Sequence, residues 1–211
     1  DHERNTTPMS STLVANRLAE VLPAIAEGAD GVDHDGRFPV AQIKGLADSG
    51  LMGLLLPTEV GGLGGGPVEL VEALSAVASA CGSTSMVYLM HLSASAVIAA
   101  APPSDGGVDL LAELAAGTKL STLAFSEKGS RSHFWAPVSK GIRGPAGTVA
   151  IGADKSWVTS ASTADVYVAS TLAPDATGMT ESDLYVIDRR DPGVAVLGSF
   201  DGVGLRGNDS A

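Results

Sequence analysis

Two short segments hold the residue types that could build a ligand site. The first reads Ala124-Phe125-Ser126-Glu127-Lys128-Gly129-Ser130-Arg131-Ser132 and the second Lys155-Ser156-Trp157-Val158-Thr159. Each combines a flat apolar ring with small hydroxyl residues. A flat, flavin-like cofactor needs that combination: an apolar plate against the ring, donors toward the N5 and O4 edge, and a satisfied pyrimidine edge. Phe125-Ser126 at a strand end would offer backbone amides and a hydroxyl. Trp157 would offer the plate, with Thr159 two residues on along the same strand face. A Trp on a barrel strand also serves as plain core, so this pattern alone leaves both readings open.

Other chemistries find less support. The histidines His2, His34, His91 and His133 are not at metal-ligand spacing, and no metal site is expected. His91 falls in an apolar run and reads as a hydrogen-bonded core residue, while His133 adjoins the first segment. No Gly-x-Ser-x-Gly elbow is present, which argues against a serine hydrolase. The Gly-rich stretch 61–66 fits neither phosphate-binding pattern and reads as a link between helices. Gly202-Val203-Gly204-Leu205-Arg206-Gly207 matches G-x-G-x-x-G but lacks a βαβ setting, so it reads as a turn.

The chain has 211 residues, 45% of them apolar and 18% charged, a globular composition able to bury a sizeable core. Cys81 is its single cysteine and cannot form an internal disulfide. It reads as a small buried residue, and a reducing, cytoplasmic setting is expected. No secretion signal is visible. The longest apolar stretch, Met86 to Ala101, is interrupted by His91, Ser93 and Ser95 and is not expected to span a membrane. The net charge of −11 argues against nucleic-acid binding. Residues 119–155 nevertheless carry a net of +4, a local basic island that would suit a phosphorylated ligand or simply a solvated strand surface.

These segments must be positioned by the elements around them. Apolar spacing of 3.6 predicts helices over Thr12–Gly28, Pro39 to Gly50, Val68–Ala80 after Pro67, Ser83 to about Ala100 and Val108–Ala116. The fourth is apolar almost all round and should be central. From Lys119 the pattern becomes strand-like: Leu120–Phe125, Phe134–Gly141, Val149–Ala153, Ser156–Thr159, Val166–Leu172, Leu184–Asp188 and Val194–Leu197. The expected fold is α+β and multidomain. An N-terminal α-helical bundle over 1–118 precedes an antiparallel β-barrel or sandwich over 119–211, truncated at its C-terminal end.

The motif residues resemble the acyl-CoA dehydrogenase family, whose middle domain carries Ala-Tyr/Phe-Thr-Glu-Pro-Gly-Ala-Gly-Ser-Asp and then Gly-x-Lys-x-Trp-Ile-Thr. Leu56-Pro57-Thr58-Glu59-Val60-Gly61-Gly62 and Gly204-Leu205-Arg206-Gly207 resemble two further family segments, so the likeness spans essentially the whole chain. It implies FAD as cofactor, met by Phe125 and Ser126 at the flavin edge and flanked by Trp157, Val158 and Thr159. It implies that Ser132 sits near the carrier of an acyl thioester, with Ser130, Arg131 and His133 beside it. The implied reaction is α,β-desaturation of an acyl-CoA or acyl-carrier-protein thioester, in fatty acid metabolism, with hydride transfer to flavin N5 and an electron-transfer acceptor. A homo-oligomer, dimer or tetramer, or a partner chain supplying the C-terminal domain, is implied too. The catalytic base belongs to that domain, so no catalytic residue is identifiable here, and Glu127 matches a structural glutamate.

Lys128, Arg131 and His133 depart from the family's Pro, Gly and Asp. They keep two alternatives open beside a dehydrogenase: a flavin-dependent monooxygenase of the same fold, and a non-catalytic partner subunit that binds acyl groups or flavin.

Overall fold

The computed structural model describes residues 11–130, 133 and 135–211. Five α-helices come first: α1 (Ser11–His34), α2 (Val40–Asp48), α3 (Pro67–Ala80), α4 (Gly82–Ala100) and α5 (Gly107–Ala115). Strands β1 (Ser121–Ala124), β2 (Ile142–Arg143), β3 (Val149–Ala150), β4 (Val166–Leu172) and β5 (Ser182–Asp188) follow. The mixed α+β class matches the sequence reading.

Local chemistry sets the helix ends. Pro67 opens α3 in its first turn, and the Glu69 carboxylate accepts the Gly66 N–H at 2.9 Å, one half of a capping box. Gly50, with φ +72°, follows the C-cap of α2. α1 runs past its expected end at Gly28 and carries Pro23 inside it. Packing explains the overrun. A Cβ on Gly28 would lie 1.9 Å from Gln42 Nε2, so the bare glycine lets α2 approach α1 closely. That approach offsets the cost of about 1 kcal/mol for glycine in a helix.

α4 is the central helix. Its length and mean hydropathy of 1.3 reach the range of a membrane-crossing segment, which the sequence reading had not expected. More than half of it is nevertheless buried within the protein. It packs against both α3 and β1. Tyr88 of α4 donates its hydroxyl to the Leu51 carbonyl at 2.7 Å. Ser95 and His91 reach the Ser121 hydroxyl of β1.

The strands correct the expected barrel. β1, β4 and β5 form one sheet in the order β1-β4-β5, and β2 and β3 form a separate antiparallel ribbon. No closed barrel occurs among the described residues. β4 and β5 are antiparallel, with Val166 opposite Asp188, but β1 and β4 run parallel, with Ser121 opposite Val166. A parallel pair needs a long crossover, and residues 125–165 provide it. Central β4 is buried on both faces, which is why it reads as a near-continuous apolar run. Val166 and Val168 join a cluster with Leu56, Ile98 and Leu114, while Tyr167 and Ala169 join the larger cluster of Val14, Leu46 and Leu92.

Three expected strands are absent as such. Val194–Leu197 is irregular, and so is the described part of Phe134–Gly141, apart from a single bridge between Lys140 and Leu172. Ser156–Thr159 is not extended, because Trp157 has φ +59° and Ser160 has φ +57°. Trp157 and Thr159 therefore do not share a strand face.

Candidate functional site

The crossover brings the two motif segments together. Glu127 and Lys155 form an isolated antiparallel bridge, and the Ser156 N–H donates to the Ser126 carbonyl at 2.9 Å. Lys155 Nζ lies 2.6 Å from Glu127 Oε1 and also reaches the carbonyls of Phe125 and Ser170. The Glu127 carboxylate accepts further bonds from the backbone N–H of Val138 (2.8 Å) and Ser139 (2.7 Å) and from the Ser139 hydroxyl.

This pair is almost fully sequestered, with side-chain exposures of 1% for Glu127 and 12% for Lys155. Burial pushes the Glu127 carboxyl up. The Lys155 and Ser139 hydrogen bonds outweigh that effect and hold it below its ordinary value of 4.5. A carboxylate so engaged is a structural brace and has no free lone pair for proton abstraction.

A cleft of about 650 Å³ opens on this brace, lined by Glu127–Gly129, Asp154–Trp157, Leu197–Phe200 and Ala211. Trp157 is its principal ring, 65% exposed and stacked on Phe200 with centroids 3.9 Å apart and planes 14° from parallel. Gly129 and Gly198 leave its rim free of side chains, and a Cβ at either would meet no atom within 4 Å.

The other candidate residues lie behind this wall or beside it. Phe125 is half-buried against the cluster of Leu56 and Ile98. Ser126 is half-buried and anchors Ser156 through its carbonyl. Val158 is buried in the core, and it exchanges both backbone hydrogen bonds with Ala211, at 2.9 and 3.1 Å. Thr159 is buried, with its carbonyl accepting from the Thr122 hydroxyl at 2.8 Å and its own hydroxyl 3.5 Å from Ser210 Oγ. Ser130 is buried in a turn, donating its N–H to the Glu127 carbonyl, and the His133 N–H donates to the Ser130 carbonyl. The His133 ring is exposed and tilted against Trp135 at 5.2 Å. Arg131 and Ser132 lie outside the described residues.

The expected basic island is largely dispersed into pairs. Lys119 pairs with Glu113, Arg143 with Asp175 and Lys155 with Glu127, while Lys140 Nζ donates to the Ala176 carbonyl. Lys128 is exposed and lines the cleft. Sequence reasoning missed Phe200 and the 208–211 segment, which close the site from about 50 residues away. No periodicity marks them. A lone Phe between Gly198-Ser199 and Asp201-Gly202 was the only available signal.

The cleft has an exposed aromatic plate in Trp157 and polar lining from Ser156, Ser199 and Lys128, while Ser126 and Thr159 sit outside its lining. Residues 10–118 match the acyl-CoA dehydrogenase N-terminal domain, and the chain belongs to the acyl-CoA dehydrogenase family. It is 31% identical over 193 residues to a probable acyl-CoA dehydrogenase, YngJ, of Bacillus subtilis strain 168, covering 89% of this chain and 50% of that one. It resembles the nitrososynthase of Micromonospora carbonacea var. africana at a TM-score of 0.81 and 28% identity, over 97% of this chain and 52% of that one. It also resembles KijD3, solved in complex with FMN and an amino-keto-sugar nucleotide, at a TM-score of 0.79 and 26% identity, over 97% and 51%. The chain thus spans about half the length of the curated relatives it matches.

Proposed function

We propose that this chain forms the flavin-facing half of an acyl-CoA dehydrogenase-type oxidoreductase acting on an acyl thioester. The observation that carries the reading is the Glu127–Lys155 brace, which joins the segment after Phe125-Ser126 to the segment that carries Trp157 and Thr159, with Trp157 exposed in the adjoining cleft. In this proposal Trp157 plates the ring system, and the Ser126 and Thr159 hydroxyls meet its polar edge. Phe125 and Val158 hold those residues in place from the core. Ser130, Arg131, Ser132 and His133 are assigned in this proposal to binding the thioester's carrier. A bound flavin, FAD in this proposal, supplies the hydride acceptor at N5.

The reaction proposed is α,β-desaturation. It needs a base near the α-carbon, and Glu127 is already committed to four partners, so the base comes from a part of the enzyme that this chain does not span. The helical half is taken as 1–118 and the sheet half as 119–211. A cytoplasmic location, an oligomeric assembly and a separate electron acceptor complete the proposal.

A second reading has a specific observation behind it. Similarity to a nitrososynthase and to an FMN-bound sugar-nucleotide protein favours an oxygen-using flavoenzyme on the same fold. One experiment separates the two. The complete enzyme, including the part that supplies the base, is scanned for flavin absorbance near ~450 nm, a general flavin property, and then mixed anaerobically with acyl-CoA. Bleaching supports desaturation. Persistent colour with acyl-CoA, together with rapid oxygen consumption once the flavin is chemically reduced, supports the oxygen-using enzyme. No flavin under any loading condition removes both.

A further inference from the structure

Phe200 lies outside both motif segments, in the irregular stretch Gly198-Ser199-Phe200-Asp201-Gly202. Its ring covers one side of Trp157 at 3.9 Å and 14°. Trp157 remains 65% exposed, so the indole still presents surface to the cleft. The stack is built from behind by a small ladder. Val158 and Ala211 exchange backbone hydrogen bonds, and the Phe200 N–H donates to the Ser210 carbonyl at 2.8 Å. Residues on either side of the stack are thus tied to the same strip, 208–211.

Trp157 needs such support. Its φ of +59° is a left-handed conformation that bulky L-residues rarely adopt, and it persists only where the surroundings enforce it. The backbone ladder fixes the chain next to Trp157, and among the described residues Phe200 is the ring stacked against its indole. An exposed indole without that backing would sample several rotamers, and a ligand would have to order it on binding.

We propose that Phe200 is a positioning residue: it backs the Trp157 indole and fixes the plane in which that ring meets a flat heteroaromatic ligand. The inference rests on the flavin reading above and adds to it a residue from outside the family-like motifs. It also gives the cleft a direction, because the ligand stacks on the Trp157 face away from Phe200.

The test uses the full chain carrying Trp135→Phe, which leaves Trp157 as the sole tryptophan. Phe200→Ala and Phe200→Tyr are compared in that background. Without ligand, Phe200→Ala should lower the fluorescence anisotropy of Trp157, and Phe200→Tyr should preserve it. On titration with FMN and with FAD, Phe200→Ala should weaken binding by roughly twofold to tenfold, the range that one stacked aromatic pair corresponds to. Phe200→Tyr should bind like its parent. If Phe200→Ala does not fold, Phe200→Leu takes its place, keeping apolar volume without the flat face, with the same losses expected.

Unchanged or tighter flavin binding by Phe200→Ala, with a parent that binds flavin, overturns the inference and leaves the proposed function standing. Tighter binding would mean that Phe200 plugs the ligand's place. A parent that binds neither flavin overturns the proposed function and the inference with it.

Discussion

Lys155 Nζ lies 2.6 Å from Glu127 Oε1, and the same two residues pair through their backbones as an isolated bridge. The contact spans 28 positions of sequence and closes the first motif segment onto the second. It also crosses the layers, because Lys155 reaches the Ser170 carbonyl on β4. Ser126 and Trp157 are neighbours in space because of this pair and the Ser156–Ser126 hydrogen bond beside it.

Removing one partner should therefore be costly. Breaking a buried ion pair leaves an uncompensated charge and costs about 3–5 kcal/mol. Lys155→Met strands the Glu127 carboxylate, softened by its three donors from Val138 and Ser139. Glu127→Gln strands the ammonium. Both single variants should unfold at lower urea than wild type. The double variant Glu127→Gln/Lys155→Met should lose less than the two losses combined, because neither charge is then left alone. Additive losses in a double-mutant cycle would show that the pair is not coupled.

The same pair predicts an acid-sensitive stability. The Glu127 carboxyl in the folded protein titrates below its ordinary 4.5. The unfolded chain then binds the proton more readily. The contribution of Glu127 is fully present above about pH 4.5 and is lost as pH falls through the lower folded value. Urea midpoints measured from neutral pH downward should fall steeply in wild type below that point. The fall should be shallower for Glu127→Gln, which has no proton to take up there.

How far the sequence carried can be judged from particular elements. α3, from Pro67 to Ala80, was readable because proline, a first-turn glutamate and a regular apolar stripe all agree. β4 was readable at both ends because it is buried throughout. Strand direction was not readable: the parallel pairing of Ser121 with Val166 depends on the path of residues 125–165, which propensity does not encode. Ser156–Thr159 looks like a strand by composition, yet Trp157 and Ser160 take positive φ because the chain there is tied to 208–211. The residue types of the site were therefore legible, but its geometry was not. Phe200 lay beyond reach because its role comes entirely from that long-range tie.

His91 offers a pH response of its own. It is wholly buried on α4, and its Nδ1 accepts the Ser121 N–H at 3.2 Å. Burial pushes its pKa from 6.5 down to about 4, against a smaller upward pull from backbone groups of Met52 and Leu114. The depressed value means that the neutral form is the one that folds. Stability attributable to this residue is complete above about pH 6.5 and is lost as pH falls toward about 4. The loss is on the order of 3 kcal/mol across that window. His91→Gln keeps an acceptor for Ser121 but cannot protonate, so thermal midpoints of that variant should change less over the window than those of wild type. An identical slope in both would remove His91 as the cause.

Flavin retention tests the cleft itself. A flat ring stacked on an aromatic side chain contributes about 1–3 kcal/mol, so Trp157→Ala should weaken flavin binding by roughly tenfold or more. Trp157 is mostly exposed, so its removal leaves no core cavity. The melting temperature without ligand should therefore move little. Ser126→Ala removes one hydroxyl and leaves intact the Ser126 carbonyl that binds Ser156. A single neutral hydrogen bond contributes about 0.5–1.5 kcal/mol, so the expected loss is several-fold and smaller than for Trp157→Ala. Equilibrium dialysis against FAD and against FMN gives both constants, and circular dichroism checks the fold. Retention equal to wild type in both variants, with the fold intact, would remove the flavin ring from this cleft.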